Sequence, residues 1–220
     1  MPLAARWMRL GPLAAGEFRG VLCGLAGAQA SHAPPILVWT RASADFLHGL
    51  VRAAQGEYVF ALLAPLRLAP GRVQRWPAWG LAPAIATYRH FGLRAYLNDE
   101  EVWLNGRCVA SSAAIALAGC AVIVSTFLPD LAAVSPAGAR PGVPPEFRSW
   151  LREGLSLSSS EWTDPRQGPA ERELEAVFRS RVQAQHGWQF ETAWPSGRER
   201  AAIARARGGA EELAAEALSR

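Results

Sequence analysis

The segment WLNGRCVASSAA, residues 103–114, places one thiol and two hydroxyls, Cys108, Ser111 and Ser112, within five residues. A cysteine attacks a thioester or ester only as the thiolate, which requires a neighbouring base or an electropositive setting. Arg107 stands next to Cys108, but strand alternation sends it to the opposite face, and His90 is the base that would have to approach from elsewhere. Ser111 and Ser112 lie in no Gly-x-Ser-x-Gly frame and have no histidine in a recognisable order, so a serine hydrolase is not indicated. The alternative to nucleophilic chemistry is that Cys108 is a small apolar side chain filling a buried slot.

Asn105-Gly106 between apolar runs is a strong hairpin signal, so residues 101–104 and 107–113 read as two antiparallel strands. The second strand is nearly bare of large side chains, which implies that something packs close to its backbone. Gly119–Leu128 then returns beside it. Before the hairpin come a strand at Trp7–Leu10 and an apolar helix over residues 13–28. They precede strands at Ile36–Thr40, Phe46–Val51 and Glu57–Leu63, and a helix over Pro83–Phe91 stopped by Gly92. SPAGARPGVPP, residues 135–145, reads as a loop or linker. Beyond it lie helices at Glu146–Arg152 and Ala170–Gln185, a short strand WQFET, and a charged helix capped by Ser196. The expected organisation is a core over residues 1–134, a linker over 135–145, and a C-terminal helical segment, 146–220, packing on that core. The class is α+β, with a mixed, largely antiparallel sheet and packed helices.

At 220 residues, 50% hydrophobic and 19% charged, the chain has globular composition and the length to bury one good core, or one core with a small appendage. All 23 basic residues are arginine; lysine does not occur. No ε-amine is therefore present for Schiff-base, general-base or adenylate-contacting roles, and arginine neither deprotonates nor places its charge alike. Three cysteines without Cys-x-x-Cys spacing and four scattered histidines indicate neither a disulfide framework nor a metal site. Cys23 and Cys120 sit in apolar runs and read as core. His48-Gly49 reads as a turn, or as the remnant of one facing a ligand. The net charge of +4 forms no dense basic stripe, so nucleic acid is not an expected partner. No apolar run reaches the roughly eighteen residues of a membrane span, and the expected location is the cytoplasm. Trp76, Trp79, Trp188 and Trp194 fall in turn-rich segments, where an indole packs within an irregular surface or stays partly exposed and anchors an interface, the packing role being favoured.

In this order the elements resemble the biotin- and lipoate-protein ligase and octanoyltransferase family, across residues 6–131. The resemblance rests on RWMRLGPLAAGEFRGVLCGLAGAQASHAPPILVWTRAS, AIATYRHFGLRAYL and VWLNGRCVASSAAIALAGCAVIVSTFLPDL. It implies the class II synthetase-like biotin/lipoate ligase fold. In that family the hairpin carries a lysine that contacts the acyl carboxylate and the α-phosphate of an acyl-adenylate, followed by small residues that let the acyl chain lie against the sheet. Gly106, Arg107, Val109, Ala110, Ser112 and Ala113 fit the pattern, whereas Cys108 stands at the lysine position, Ser111 at the second glycine and Ala114 at the glutamine. The family's Gly-Gly-Gly phosphate strand is also missing, since the single Gly-Gly is Gly208-Gly209.

The resemblance thus implies a degenerate, non-catalytic binding or partner subunit connected with acyl or carrier-protein handling. Its ligand-side residues would be Gly106, Cys108, Ala110, Ser111 and Ser112. No cofactor is expected, although a lipoyl or octanoyl group fits the implied groove, and the implied partner is a carrier domain or a ligase-like protein. The alternative is an active octanoyl or lipoyl acyltransferase with Cys108 as nucleophile. Losing the glycine strand should expose sheet beside the hairpin, to be covered by Trp188–Trp194 or by a second chain.

Overall fold

The computed structural model describes residues 2–44, 46–48, 51–53, 55–104, 107–127 and 171–218. Ten strands are described: β1 (Leu3–Arg9), β2 (Ile36–Arg41), β3 (Phe46–His48), β4 (Val51–Ala53), β5 (Tyr58–Pro65), β6 (Ala95–Asn98), β7 (Glu101–Leu104), β8 (Arg107–Leu117), β9 (Cys120–Phe127) and β10 (Trp188–Thr192). Four helices accompany them: α1 (Ala15–Ala28), α2 (Trp76–His90), α3 (Glu171–His186) and α4 (Gly197–Leu218). Eight strands form one sheet in the order β10-β1-β2-β5-β9-β8-β7-β6, and β3 pairs with β4 separately. β10, β1 and β2 run parallel, while every other neighbouring pair in the sheet is antiparallel. The class is α+β, with a mixed sheet.

Buried strands of this sheet are continuous apolar runs because both faces are covered. ILVWT in β2 and YVFALLA in β5 are buried at every position. Alternate residues divide between two cores. Trp7, Leu37, Trp39, Phe60, Leu62 and Ile123 face α2 and α3, whose Leu81, Ala84, Tyr88, Leu174, Phe178 and Val182 complete the cluster. Met8, Ile36, Val38, Ala61, Leu63, Val122 and Val124 face α1, β4 and Ile203 of α4. The α1–α4 contact is a glycine seam: a Cβ on Gly24 would lie 2.5 Å from the Ile203 backbone, so only glycine lets the helices approach this closely.

Two features differ from the sequence expectation. The helix expected from Pro83 begins seven residues earlier, at Trp76. Pro77 occupies the first turn, where its missing N–H costs nothing, and Pro83 is accommodated with the Thr87 hydroxyl donating to its carbonyl at 2.8 Å. The stretch 188–194, expected over the hairpin, instead lies at the far edge of the sheet against β1. Nothing local in the sequence specifies that parallel pairing. The linker over 135–145 and the helix expected at Glu146–Arg152 lie outside the described residues.

Candidate functional site

The strands of the expected hairpin are present. Ser111, Ala110, Cys108 and Arg107 of β8 pair with Glu101, Val102, Trp103 and Leu104 of β7. The register shifts between Val102 and Trp103, leaving Val109 as the extra residue of a bulge, and Val109 and Ala110 both join the α2-side core. Gly106 lies outside the described residues; the backbone of Cys108 is in β8, and its side chain lies outside them.

The remaining site residues expected from sequence are closed in. Ala110 and Ser112 are buried, and Ser111 is half-buried. The Ser112 hydroxyl donates to the Val124 carbonyl at 3.1 Å and accepts from the Ser125 hydroxyl at 2.8 Å. The Thr126 hydroxyl accepts the Ser111 backbone N–H at 3.0 Å. These hydroxyls join β8 to β9. What lies close to the bare strand is helix α2 of the same chain, which crosses β9 so tightly that a Cβ on Gly80 would stand 2.5 Å from Cγ2 of Ile123. On the other face Ala113 packs toward the core beneath α1 and β4. His90, at the end of α2, accepts a hydrogen bond at Nδ1 from Arg181 Nη2 at 2.8 Å.

Cys120 is buried, its thiol is pushed up by burial, and Cys23 is half-buried. Trp76 and Trp188 pack in the core, as the favoured reading of their segments has it, whereas Trp194 is 71% exposed. No group of three or more His, Cys, Asp or Glu side chains that could hold a metal occurs among the described residues, and none of their helices is long and apolar enough to cross a membrane.

An open cavity of about 710 Å³ lies elsewhere, at the carboxyl ends of the three parallel strands. Two copies of one short pattern build it: Trp7-Met8-Arg9 ends β1 and Trp39-Thr40-Arg41 ends β2. Parallel register sets Arg9 beside Trp39, and Arg41 pairs with Tyr58 of β5. The two indoles, with ring centroids 5.8 Å apart, belong to the core floor, while Leu10, Gly11, Pro12 and Trp194 supply the walls. Glu171, the first described residue of α3, reaches both arginines, at 2.7 Å from Arg9 Nη2 and 3.2 Å from Arg41 Nη2. Arg9 Nε also donates to Glu175 at 2.8 Å.

The electrostatics follow from this crowding. Burial raises the Glu171 pKa, but hydrogen bonds from Arg9 and Tyr58 and the charge of Arg41 outweigh it and hold the carboxyl below its ordinary value. Glu175 goes the other way, because its burial and the neighbouring Glu171 exceed the help of Arg9. The Tyr58 phenol is pushed well above its usual value by burial, against the opposing charge of Arg41. Arg41 also lies over the Tyr58 ring, 4.4 Å from its centroid. Composition and motif spacing did not mark these residues. The repeated Trp-x-Arg pattern is in the sequence, but it has meaning only once β1 and β2 are neighbours.

Comparison with solved structures defines the fold. A chain of the archaeal lipoylation system of Thermoplasma acidophilum, comprising a bi-partite lipoate protein ligase and its E2 lipoyl domain, superposes with a TM-score of 0.68 at 11% identity, covering 94% of this chain and 92% of that one. Lipoate-protein ligase A bound with ATP gives 0.66 at 10% identity, covering 94% and 95%. The biotin acetyl coenzyme A carboxylase synthetase of Helicobacter pylori gives 0.51 at 11% identity, covering 82% and 75%. No protein-family model and no curated protein matches the sequence. The chain has the fold of the lipoate- and biotin-protein ligases.

Proposed function

We propose that this protein is a non-catalytic, ligase-like subunit that works beside a protein handling an acyl group or its carrier domain. The observation that carries the reading is the complete absence of lysine from a chain with this fold. Adenylation develops charge on the carboxylate and α-phosphate, and a preorganised ammonium with a backbone phosphate cradle is what stabilises it. Cys108 at the resembling hairpin position supplies no positive charge, and the buried, mutually bonded hydroxyls of Ser112 and Ser125 are spent on joining two strands. A carrier or ligase-like partner is supported by the bi-partite character of the archaeal ligase on which the fold superposes. In this reading the chain needs no cofactor of its own, and any lipoyl or octanoyl group belongs to the partner. Its place of work is the cytoplasm.

The test pairs pyrophosphate exchange with mass spectrometry. Purified protein is expected to give no lipoate-, octanoate- or biotin-dependent exchange of pyrophosphate into ATP. Native mass spectrometry of protein taken from its host is expected to show a stable complex, with this chain at its unmodified mass. Exchange activity, or an acyl adduct lost in Cys108→Ala, overturns the proposal.

A further inference from the structure

We propose that the cavity at the ends of β1, β2 and β10 is a binding site for a small planar aromatic carboxylate, whose carboxylate takes the place of Glu171 between Arg9 and Arg41. The site is separate from the hairpin: β5 and β9 lie between β2 and β8 in the sheet. It does not depend on the reading above.

The topology brings the parts of the cavity together. α1 and α4 leave β1 and β10 for one face of the sheet, while α3 runs down the other face into β10, so that its start, with Glu171, lies at the carboxyl ends of the parallel strands. The cavity has the size of a small-molecule site.

The chemistry selects the ligand. Two guanidiniums from adjacent strands converge on one carboxylate, and the planar, always-charged fork is suited to that anion. Arg41 is held by the Tyr58 ring and hydroxyl. Glu171 is the member a ligand carboxylate replaces, because it offers the two guanidiniums the same anion and its side chain, 37% exposed, is reached from solvent. Arg9 keeps Glu175 when Glu171 leaves, whereas Arg41 keeps only Tyr58 among its described partners. A ligand carboxylate thus restores what Arg41 loses. An organic cation is disfavoured, since Arg41 already covers Tyr58 and Arg179 stands over Trp7, 5.9 Å from the ring centroid. The flat body of the ligand would lie along the Trp194 wall, whose indole is the most exposed large apolar side chain described.

Indole-3-carboxylate, indole and tryptamine, titrated calorimetrically into the full chain at low ionic strength, test the assignment. The acid is expected to bind at least about tenfold more tightly than indole, the worth of one charge-assisted hydrogen bond. Glu171→Gln, which keeps the shape but removes the competing charge, is expected to tighten acid binding by about tenfold and leave indole unchanged. Arg41→Gln is expected to abolish the preference for the acid. Thermal unfolding of each variant reports that it is folded. Equal binding of acid and indole, preference for tryptamine, an unchanged acid affinity in Glu171→Gln, or no binding to either form overturns the proposal.

Discussion

The two ends of the sheet contrast in a way that inverts simple intuition. Residues 110–112 of β8 carry small side chains and are closed in, whereas the ends of β1 and β2 carry tryptophan and arginine and enclose a cavity. Small residues on a strand let a helix settle against the backbone, and α2 packs over β8 and β9 with its Gly80 set against Ile123 of β9. Bulky residues do the reverse. Trp7, Trp39 and Tyr58 fill the core below, and the arginines beyond them keep the rim polar and open. Bareness in a strand is thus a sign of close packing, from a ligand or from the chain itself, and here a helix is what packs.

The most severe way to break the contrast is to remove the floor of the open end. Trp39 is 1% exposed and packs with Trp7, Tyr58, Phe60, Phe127 and Phe178. Trp39→Ala is expected to cost about 3–5 kcal/mol in chemical denaturation. A loss below about 1 kcal/mol would mean that the aromatic cluster is not the core of this end.

The next effect depends on pH. His186 ends α3 between Trp79 of α2 and Trp188 of β10, with both ring nitrogens buried and unpartnered. Burial lowers its pKa from 6.5 to about 4. Above pH 6.5 the ring is neutral in both folded and unfolded chains. As pH falls below that, the unfolded chain takes up a proton that the folded chain refuses, so stability drops until about pH 4, by roughly 3 kcal/mol in all. His186→Phe should lose that part of the slope when the two proteins are compared between pH 7 and pH 4. Parallel curves would show that the imidazole is solvated.

A smaller effect sharpens the account of the closed end. Gly80→Ala gains about 1 kcal/mol of helix propensity but drives a methyl into Ile123, for a net loss of about 1–2 kcal/mol. In an Ile123→Ala background the same change should turn stabilising by up to about 1 kcal/mol. Additive effects in that double-mutant cycle would separate α2 from the strand. Least of all, Arg9→Gln should cost under about 1 kcal/mol, because its side chain is 54% exposed and its ion pairs are screened by water. That difference should shrink further in 0.5 M salt, roughly, as expected of surface pairs.

Local signals account for what was legible beforehand. The Asn105-Gly106 turn signal and the apolar runs around it located β7, β8 and β9, and helical spacing located α1 and α3. Ser196 was read as a cap, and it forms a reciprocal pair with Glu199, each backbone N–H meeting the other's side chain at 3.3 and 2.7 Å. Features that arise only from long-range pairing were not legible. The start of α2 was hidden by two prolines, both of which the helix tolerates at their positions. The bulge at Val109 appears only when β8 is laid against β7. Arg9, Arg41 and Glu171 come from segments far apart in the chain, so nothing in their spacing joins them.

The placement of β10 has a consequence for synthesis. β1 emerges from the ribosome early, yet its outer edge finds its partner only when residues 188–192 have been made. The bidentate pairing of Arg6 with Glu199 and the seam between Gly24 and Ile203 wait equally long. Until then the nascent chain presents an unpaired strand edge and a bare glycine face, both of which invite association with other chains. Ribosome-bound chains halted before residue 188 should engage chaperones that the released chain of 220 residues does not.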